Sequence, residues 1–230
     1  MNIIITGASR GIGYETAKLL SKEHTVISIS RSAEKNKLPG VISISFDLEK
    51  GDIQKALLPE IKKHIEHVDV LINNAAAFIK KPFAELTRKD FENIYNVNVF
   101  SIAELTKCIL PLMSSPLKGE IREGASHVVN IASMGGIQGS LKFSELSAYS
   151  SSKGALITLT ECLAEEYKDK GISFNVIAFG SVQTEMLAEA FPGFKAPITA
   201  AEAAKFLSDF AVNGHKYFNG KILQMALSTP

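Results

Sequence analysis

Seven short runs of β-branched and apolar residues punctuate the chain, at Ile3 to Thr6, Val26 to Ser30, Val41 to Phe46, Val68 to Asn73, His127 to Ala132, Ile172 to Ala178 and Ile222 to Met225. Each is short, rich in Val and Ile, and predicts a buried strand. Between most of them the apolar residues recur at helical spacing, over Ile12 to Ser21, Ile53 to His67, Asp90 to Leu110, Ser147 to Lys168 and Ala201 to Ala211. Such alternation predicts parallel strands joined by right-handed crossovers, with helices laid on both faces of one sheet. Gly171 follows Lys168-Asp169-Lys170 and reads as a helix-ending glycine, so the next strand starts at Ile172.

No repeat, low-complexity tract or Pro/Gly/Ser linker divides this pattern, and Ser114 to Gly124 reads as a surface loop between a helix and a strand. A chain of 230 residues can bury a substantial core yet needs only one domain. The expectation is a single doubly wound α/β domain over residues 1–230, with a seven-stranded parallel sheet flanked by helices.

Composition narrows the partners. With 25 basic against 24 acidic residues, a formal charge of +1, nothing draws the chain to nucleic acid or to an anionic membrane, and a small molecule is the expected ligand. Cys108 and Cys162 each lie in a helical pattern and read as core thiols of a reducing compartment. The chain enters a strand at Asn2 with no export-signal pattern, and the longest uncharged stretch, Gly124 to Leu141, is too polar to span a membrane. A cytoplasmic location is expected. His64 and His67, the only close pair among five histidines, have no third ligand nearby, so no metal site is expected.

The first chemical signal is TGASRGIG, Thr6 to Gly13, where the first strand turns into the first helix. Gly7 permits the tight turn, Gly11 lets backbone approach a pyrophosphate, and Gly13 lets helix and strand pack closely, with helix-terminal N–H groups facing the anion. Glycines in a strand-to-helix turn also serve as plain punctuation, so the loop gains meaning only beside the motifs downstream of it. NNAA stands at Asn73 to Ala76, Asn98 lies in a VNV context, Ser133 follows the fifth strand, and YSSSK runs from Tyr149 to Lys153. These motifs, in this order and with the Gly-x-x-x-Gly-x-Gly spacing, resemble the short-chain dehydrogenase/reductase family over nearly the whole chain.

The resemblance implies a Rossmann-type fold and an oxidoreductase that moves hydride between a nicotinamide and a carbonyl or alcohol. It implies a catalytic tetrad of Asn98, Ser133, Tyr149 and Lys153. Cofactor contacts are expected from Gly7, Ser9, Arg10, Gly11, Ile12, Gly13, Arg31, Asp47, Leu48, Asn74, Ala75, Tyr149, Lys153, Gly180, Val182 and Thr184. Asn98 would hold a water that links Lys153 to solvent, and Lys153 would also contact the nicotinamide ribose.

The residues make chemical sense by themselves. Tyr149 and Lys153 are four apart in a helical pattern, so they share one face with about 6 Å of rise between them. A free phenol, with a pKa near ~10, exchanges protons poorly at neutral pH, and a neighbouring ammonium is expected to lower it. Ser133 would orient the reacting oxygen; Ser140 and Ser147 compete for that role, and the place directly after an apolar strand favours Ser133.

Where an NAD-preferring enzyme would carry Asp or Glu after the second strand, this chain has Ser30-Arg31. Arg31, with Arg10 from the other side, matches the NADP-preferring type, so NADP(H) is expected over NAD(H). Asp47 matches a position that contacts adenine, or else caps a helix. Ala178-Phe179-Gly180 stands where the family has Asn-Pro-Gly, NNAA replaces NNAG, and the terminal ILQMALSTP lacks Asp-Gly-Gly. Tetramer contacts are therefore expected to be altered, leaving a homotetramer or a homodimer packed through the helices near Cys108 and Cys162. The segment from Gly180 to Thr199, with Met186, Leu187, Phe191 and Phe194, is expected to be a mobile cover that selects uncharged carbonyl compounds. Two other functions are open: a 3-oxoacyl thioester reductase of fatty-acid synthesis, and a non-catalytic NADP sensor.

Overall fold

In the computed structural model, which describes residues 1–33, 37–113 and 126–227, the seven expected strands form one sheet. In chain order the elements are β1 (Asn2–Thr6), α1 (Gly11–Leu20), β2 (Thr25–Ser30), β3 (Val41–Ser45), α2 (Leu58–Lys62) and β4 (Val70–Asn73), then α3 (Arg88–Tyr95), α4 (Ser101–Met113), β5 (Ser126–Ser133) and α5 (Ser147–Glu166). They continue through β6 (Ile172–Phe179), β7 (Val182–Gln183), α6 (Glu185–Ala190), β8 (Ile198–Thr199), α7 (Ala200–Asn213) and β9 (Ile222–Met225). The sheet order is β3-β2-β1-β4-β5-β6-β9, and every neighbouring pair is parallel. Between β1 and β4 the winding reverses, so the connections leave in opposite directions and open a crevice at the carboxyl ends of the strands.

The two-residue period of β1 explains the layers. Ile3 and Ile5 face α1 and α7, meeting Ala17, Leu20, Ala203 and Leu207, while Ile4 faces the other side with Ile61, Leu105 and Ile109. All three isoleucines are fully buried, each stabilising the fold by ~1.5–3 kcal/mol relative to exposure. A buried polar ladder then fixes α5 against the sheet. Asn73 Nδ2 donates to Asn130 Oδ1 at 2.8 Å, and Asn130 Nδ2 donates to Thr160 Oγ1 at 2.8 Å.

Several expectations change in detail. The helix expected over Asp90 to Leu110 is interrupted by a wide turn, Asn96–Phe100, closed by i→i+5 hydrogen bonding. Asn and Val alternate there and are weak helix formers, and the Asn98 amide bonds outside the helix. The stretch after Asp52 likewise starts as a wide turn, Ile53–Leu57, and regular helix begins beside Pro59, which has no N–H to give. Val68 precedes β4 because its N–H goes to Leu112 O rather than to the sheet. Only one thiol meets the core: Cys108 is half-buried and packs against it, whereas Cys162 is exposed, on the face of α5 away from buried Leu156 and Thr160. Gly171 adopts φ +68°, as a helix-ending glycine does. The surface loop expected at Ser114 to Gly124 lies outside the described residues. The cover segment is more regular than expected, being the pair β7–β8 with α6 between them. Among the described residues no helix is long and apolar enough to cross a membrane, and no three His, Cys, Asp or Glu side chains converge as a metal would require.

Candidate active site

The glycine loop rests directly on the end of β4. Gly7 has φ +69°, and a Cβ there would stand 2.7 Å from Ala75 Cα. At Gly13 a Cβ would stand 2.5 Å from Gly7 O and would strike the Asn74 amide. Asn74 Nδ2 donates to Thr6 O at 3.0 Å and to Gly7 O at 3.1 Å, and the Thr6 hydroxyl accepts from Asn74 N and Ala75 N. The loop is thus held flat, with the start of α1 behind it. Gly11 lies under the cover segment, where a Cβ would come 3.6 Å from a Glu185 carboxylate oxygen.

Above the loop opens a cavity of about 950 Å³. Gly7, Ser9, Arg10, Gly11, Ile12, Arg31, Asp47, Leu48, Asn74, Ala75, Ser133, Tyr149, Lys153, Gly180, Val182 and Thr184 all line it; Gly13 and Asn98 do not. The lining residues suit a dinucleotide, since glycine backbone at the start of α1 can meet a pyrophosphate. Bare backbone at Gly7 and Gly11 faces the cavity at one end, beside Ser9, Arg10 and Ile12, and a cluster of polar side chains stands at the other.

That cluster starts on α5. Tyr149 projects toward Ser133 at the end of β5 and hydrogen-bonds to it. Lys153, one turn on and 1% exposed, donates from Nζ to Ile131 O at 2.8 Å and lies 5.9 Å from the Tyr149 ring centroid. Ser140 spends its hydroxyl on Met134 O and Ile137 O, and Ser147 is exposed at the helix start, so Ser133 is the hydroxyl beside the phenol.

Burial pushes the phenol up to about 12, against a smaller lowering from the Ser133 hydrogen bond. This corrects the expectation that the ammonium lowers it, because Lys153 is aimed at a backbone carbonyl. Burial also brings Lys153 down to about 8.

Asn98 is fully buried behind the cavity. Its Oδ1 accepts from Ala77 N at 2.8 Å, and its Nδ2 donates to Ala77 O and to Ser152 Oγ, both at 3.0 Å. Ser152 Oγ in turn donates to Tyr149 O at 2.7 Å. The wide turn therefore ties the loop after β4 to the first turn of α5.

At the other end the charges differ from expectation. Arg31 is exposed just beyond β2 and makes no ion pair among the described residues. Arg10 is already engaged: its Nη1 lies 2.7 Å from Glu189 Oε1 on α6. Asp47 caps its own turn, accepting from Glu49 N at 3.0 Å, and the next helical stretch is capped by Asp52 instead.

Residues 1–193 match the family model described as short chain dehydrogenase. The chain belongs to the short chain dehydrogenase family. The ketoacyl reductase HetN of Nostoc sp. is 33% identical over 218 residues, covering 87% of this chain and 72% of its own. The 3-oxoacyl-[acyl-carrier-protein] reductase FabG of Staphylococcus epidermidis is 25% identical over 194 residues, 80% of this chain and 75% of its own. Among solved structures, a short chain dehydrogenase of Shigella flexneri complexed with NADP is similar with a TM-score of 0.84 at 26% identity, over 97% of this chain and 95% of that one. A 3-ketoacyl-(acyl-carrier-protein) reductase of Brucella melitensis complexed with NADH shares the fold, with a TM-score of 0.85 at 22% identity over 98% and 96%.

This short chain dehydrogenase accommodates its departures locally. Phe179 is 5% exposed and pairs with both Ser133 and Met225, so it prolongs β6 instead of turning the chain. Thr184 caps α6 by accepting from Leu187 N. Phe191, just past α6, meets Phe78 with ring centroids 6.5 Å apart, and Phe194 lines the cavity while 49% exposed. Phe78, Ser152 and Glu189 are not singled out by the sequence. Ser152 is legible within YSSSK, but a lone aromatic after NNAA and one acid on a cover helix carry no spacing signal.

Proposed function

We propose that the protein is an NADP(H)-dependent oxidoreductase that moves hydride between a nicotinamide and a carbonyl or alcohol carbon, with Tyr149 as general acid and base. The observation that carries this reading is a single cavity joining a flat glycine loop to the group Tyr149, Ser133 and Lys153. A nicotinamide, when bound, supplies or accepts the hydride. The chain does the rest. With a pKa near 12, Tyr149 keeps its proton at neutral pH and gives it to the alkoxide that develops as a carbonyl is reduced. Ser133 orients the same oxygen. Lys153, at about 8, is mostly charged at pH 7 and would hold the nicotinamide ribose. In alcohol oxidation the phenol must first lose its proton, so that direction gains as pH rises.

Exposed Arg31 supports a preference for NADP(H), since its guanidinium suits a 2′-phosphate and Ser30-Arg31 stand where an NAD-preferring enzyme carries a carboxylate. Arg10 is shared with Glu189 and adds less. Thiols that form no disulfide among the described residues suit a cytoplasmic enzyme. A second reading, reduction of 3-oxoacyl thioesters, is favoured by the ketoacyl reductase relatives.

The test is spectrophotometric: oxidation of NADPH and NADH by the pure protein across diketones, aldehydes, pterins and acyl thioesters. NADPH oxidation with aldehydes or diketones is expected. Turnover confined to acyl thioesters transfers the assignment to the second reading, and no oxidation of either cofactor overturns both and leaves a sensor.

A further inference from the structure

The ring of Phe78 stands against the catalytic phenol. Its centroid is 4.9 Å from that of Tyr149, with the planes at 57°, and both rings line the cavity. On its other side Phe78 meets Phe191 at 66°. The two rings touch edge to face, so no substrate group passes between them.

This wall is anchored. Asn98 holds both the N–H and the C=O of Ala77, the residue before Phe78, and the chain Asn98–Ser152–Tyr149 ties that peptide to the helix turn that carries the phenol. The backbone that carries Phe78 therefore cannot shift without breaking hydrogen bonds of a fully buried amide. Phe191 is braced from outside by Lys80, whose Nζ lies 4.6 Å from the ring centroid and 3.6 Å from a Glu145 carboxylate.

We infer that Phe78 is a specificity-determining residue: its ring walls one side of Tyr149 and restricts the substrate to carbonyls whose group on that side is small or flat. This rests on the proposed reductase reading. Branched groups next to the carbonyl collide with a wall that the Asn98 chain holds in place, while aldehydes, methyl ketones and flat aryl groups pass along it. The wall also covers one side of the half-buried phenol, which Ser133 from β5 and Lys153 from its own helix approach as well. The charged groups of α6, Glu185 and Glu189, face the glycine loop instead.

The experiment compares wild type, Phe78→Ala and Phe78→Leu with NADPH and two ketones that differ only beside the carbonyl, acetophenone and its tert-butyl analogue pivalophenone. Wild type is expected to favour acetophenone in kcat/KM, and Phe78→Ala to shrink that ratio by about tenfold, the effect of relieving a methyl-sized clash. Phe78→Leu keeps the bulk and most of the discrimination. NADPH binding by fluorescence shows that each variant is folded. A second readout needs no cofactor: tyrosinate absorbance, taken as the difference between each protein and its Tyr149→Phe counterpart, should show Tyr149 ionising at lower pH in Phe78→Ala. An unchanged ketone ratio or an unchanged titration overturns the inference. Should wild type reduce no carbonyl at all, the reductase reading falls, and the titration still decides whether Phe78 walls the phenol.

Discussion

At the β1 end of the cavity the chain presents mainly glycine backbone, whereas at the β5 end it presents buried Lys153 beside half-buried Tyr149 and Ser133. The glycine loop has no room for a side chain at Gly7 and Gly13, where contact with Asn74 and Ala75 excludes one. Tyr149 and Lys153 instead sit where burial opposes their charged forms, one raised to about 12 and the other lowered to about 8. The first end gains function by clearing space. The second gains it by holding polar groups partly or wholly out of water, at a cost in stability that the surrounding packing offsets.

The sharpest way to break this contrast is Tyr149→Phe. Turnover should fall by about 10²–10⁴-fold while NADPH still binds, since only the transferable proton is removed. Retained carbonyl reduction by the purified variant would show that the β5 end does not work this way. Next in size is Gly13→Ala at the other end. The added methyl strikes Asn74 and Gly7 O, so binding of both NADPH and NADH should be lost together and stability reduced by ~1–3 kcal/mol, read by fluorescence titration and thermal melts.

Arg31→Asp sharpens the picture of the adenosine side. Losing one charge-assisted contact should weaken NADPH by about ten- to hundredfold and spare NADH, and a wild type that prefers NADH in kcat/KM contradicts the assignment. Lys153→Met tests the stability cost. The folded pKa is about 8 against an ordinary 10.5, so between these values the unfolded chain binds more protons and folding stability rises with pH. Above pH 10 the raised Tyr149 acts oppositely, because there the folded state holds the extra proton. Thermal melts of wild type minus Lys153→Met should show the rise from pH 8 toward 10, and a flat difference would mean that Lys153 is not strained by burial. The smallest effect belongs to Glu189→Gln. Its ion pair with Arg10 is half-exposed, so freeing Arg10 should tighten NADPH by no more than about fivefold, with NADH unchanged.

Much of this was legible in the residues alone. The seven strands, their parallel order and the place of the glycine loop come from periodicity and glycine spacing, because a strand buried on both faces must be apolar throughout and a tight turn must use residues that tolerate it. Tyr149 and Lys153 could be read as partners because helical spacing is local. Three matters needed the fold. The wide turn at Asn96–Phe100 depends on what the Asn98 amide meets, and Ala77 and Ser152 are far from it in sequence. The raised pKa of Tyr149 comes from burial, and the Lys153 ammonium is aimed at Ile131 O, neither of which spacing reveals. The engagement of Arg10 by Glu189 joins residues 179 positions apart. Local rules of backbone geometry act within a few residues and so can be read along the chain. Desolvation and charge pairing are set by whatever packing brings into reach, and only the tertiary structure decides that.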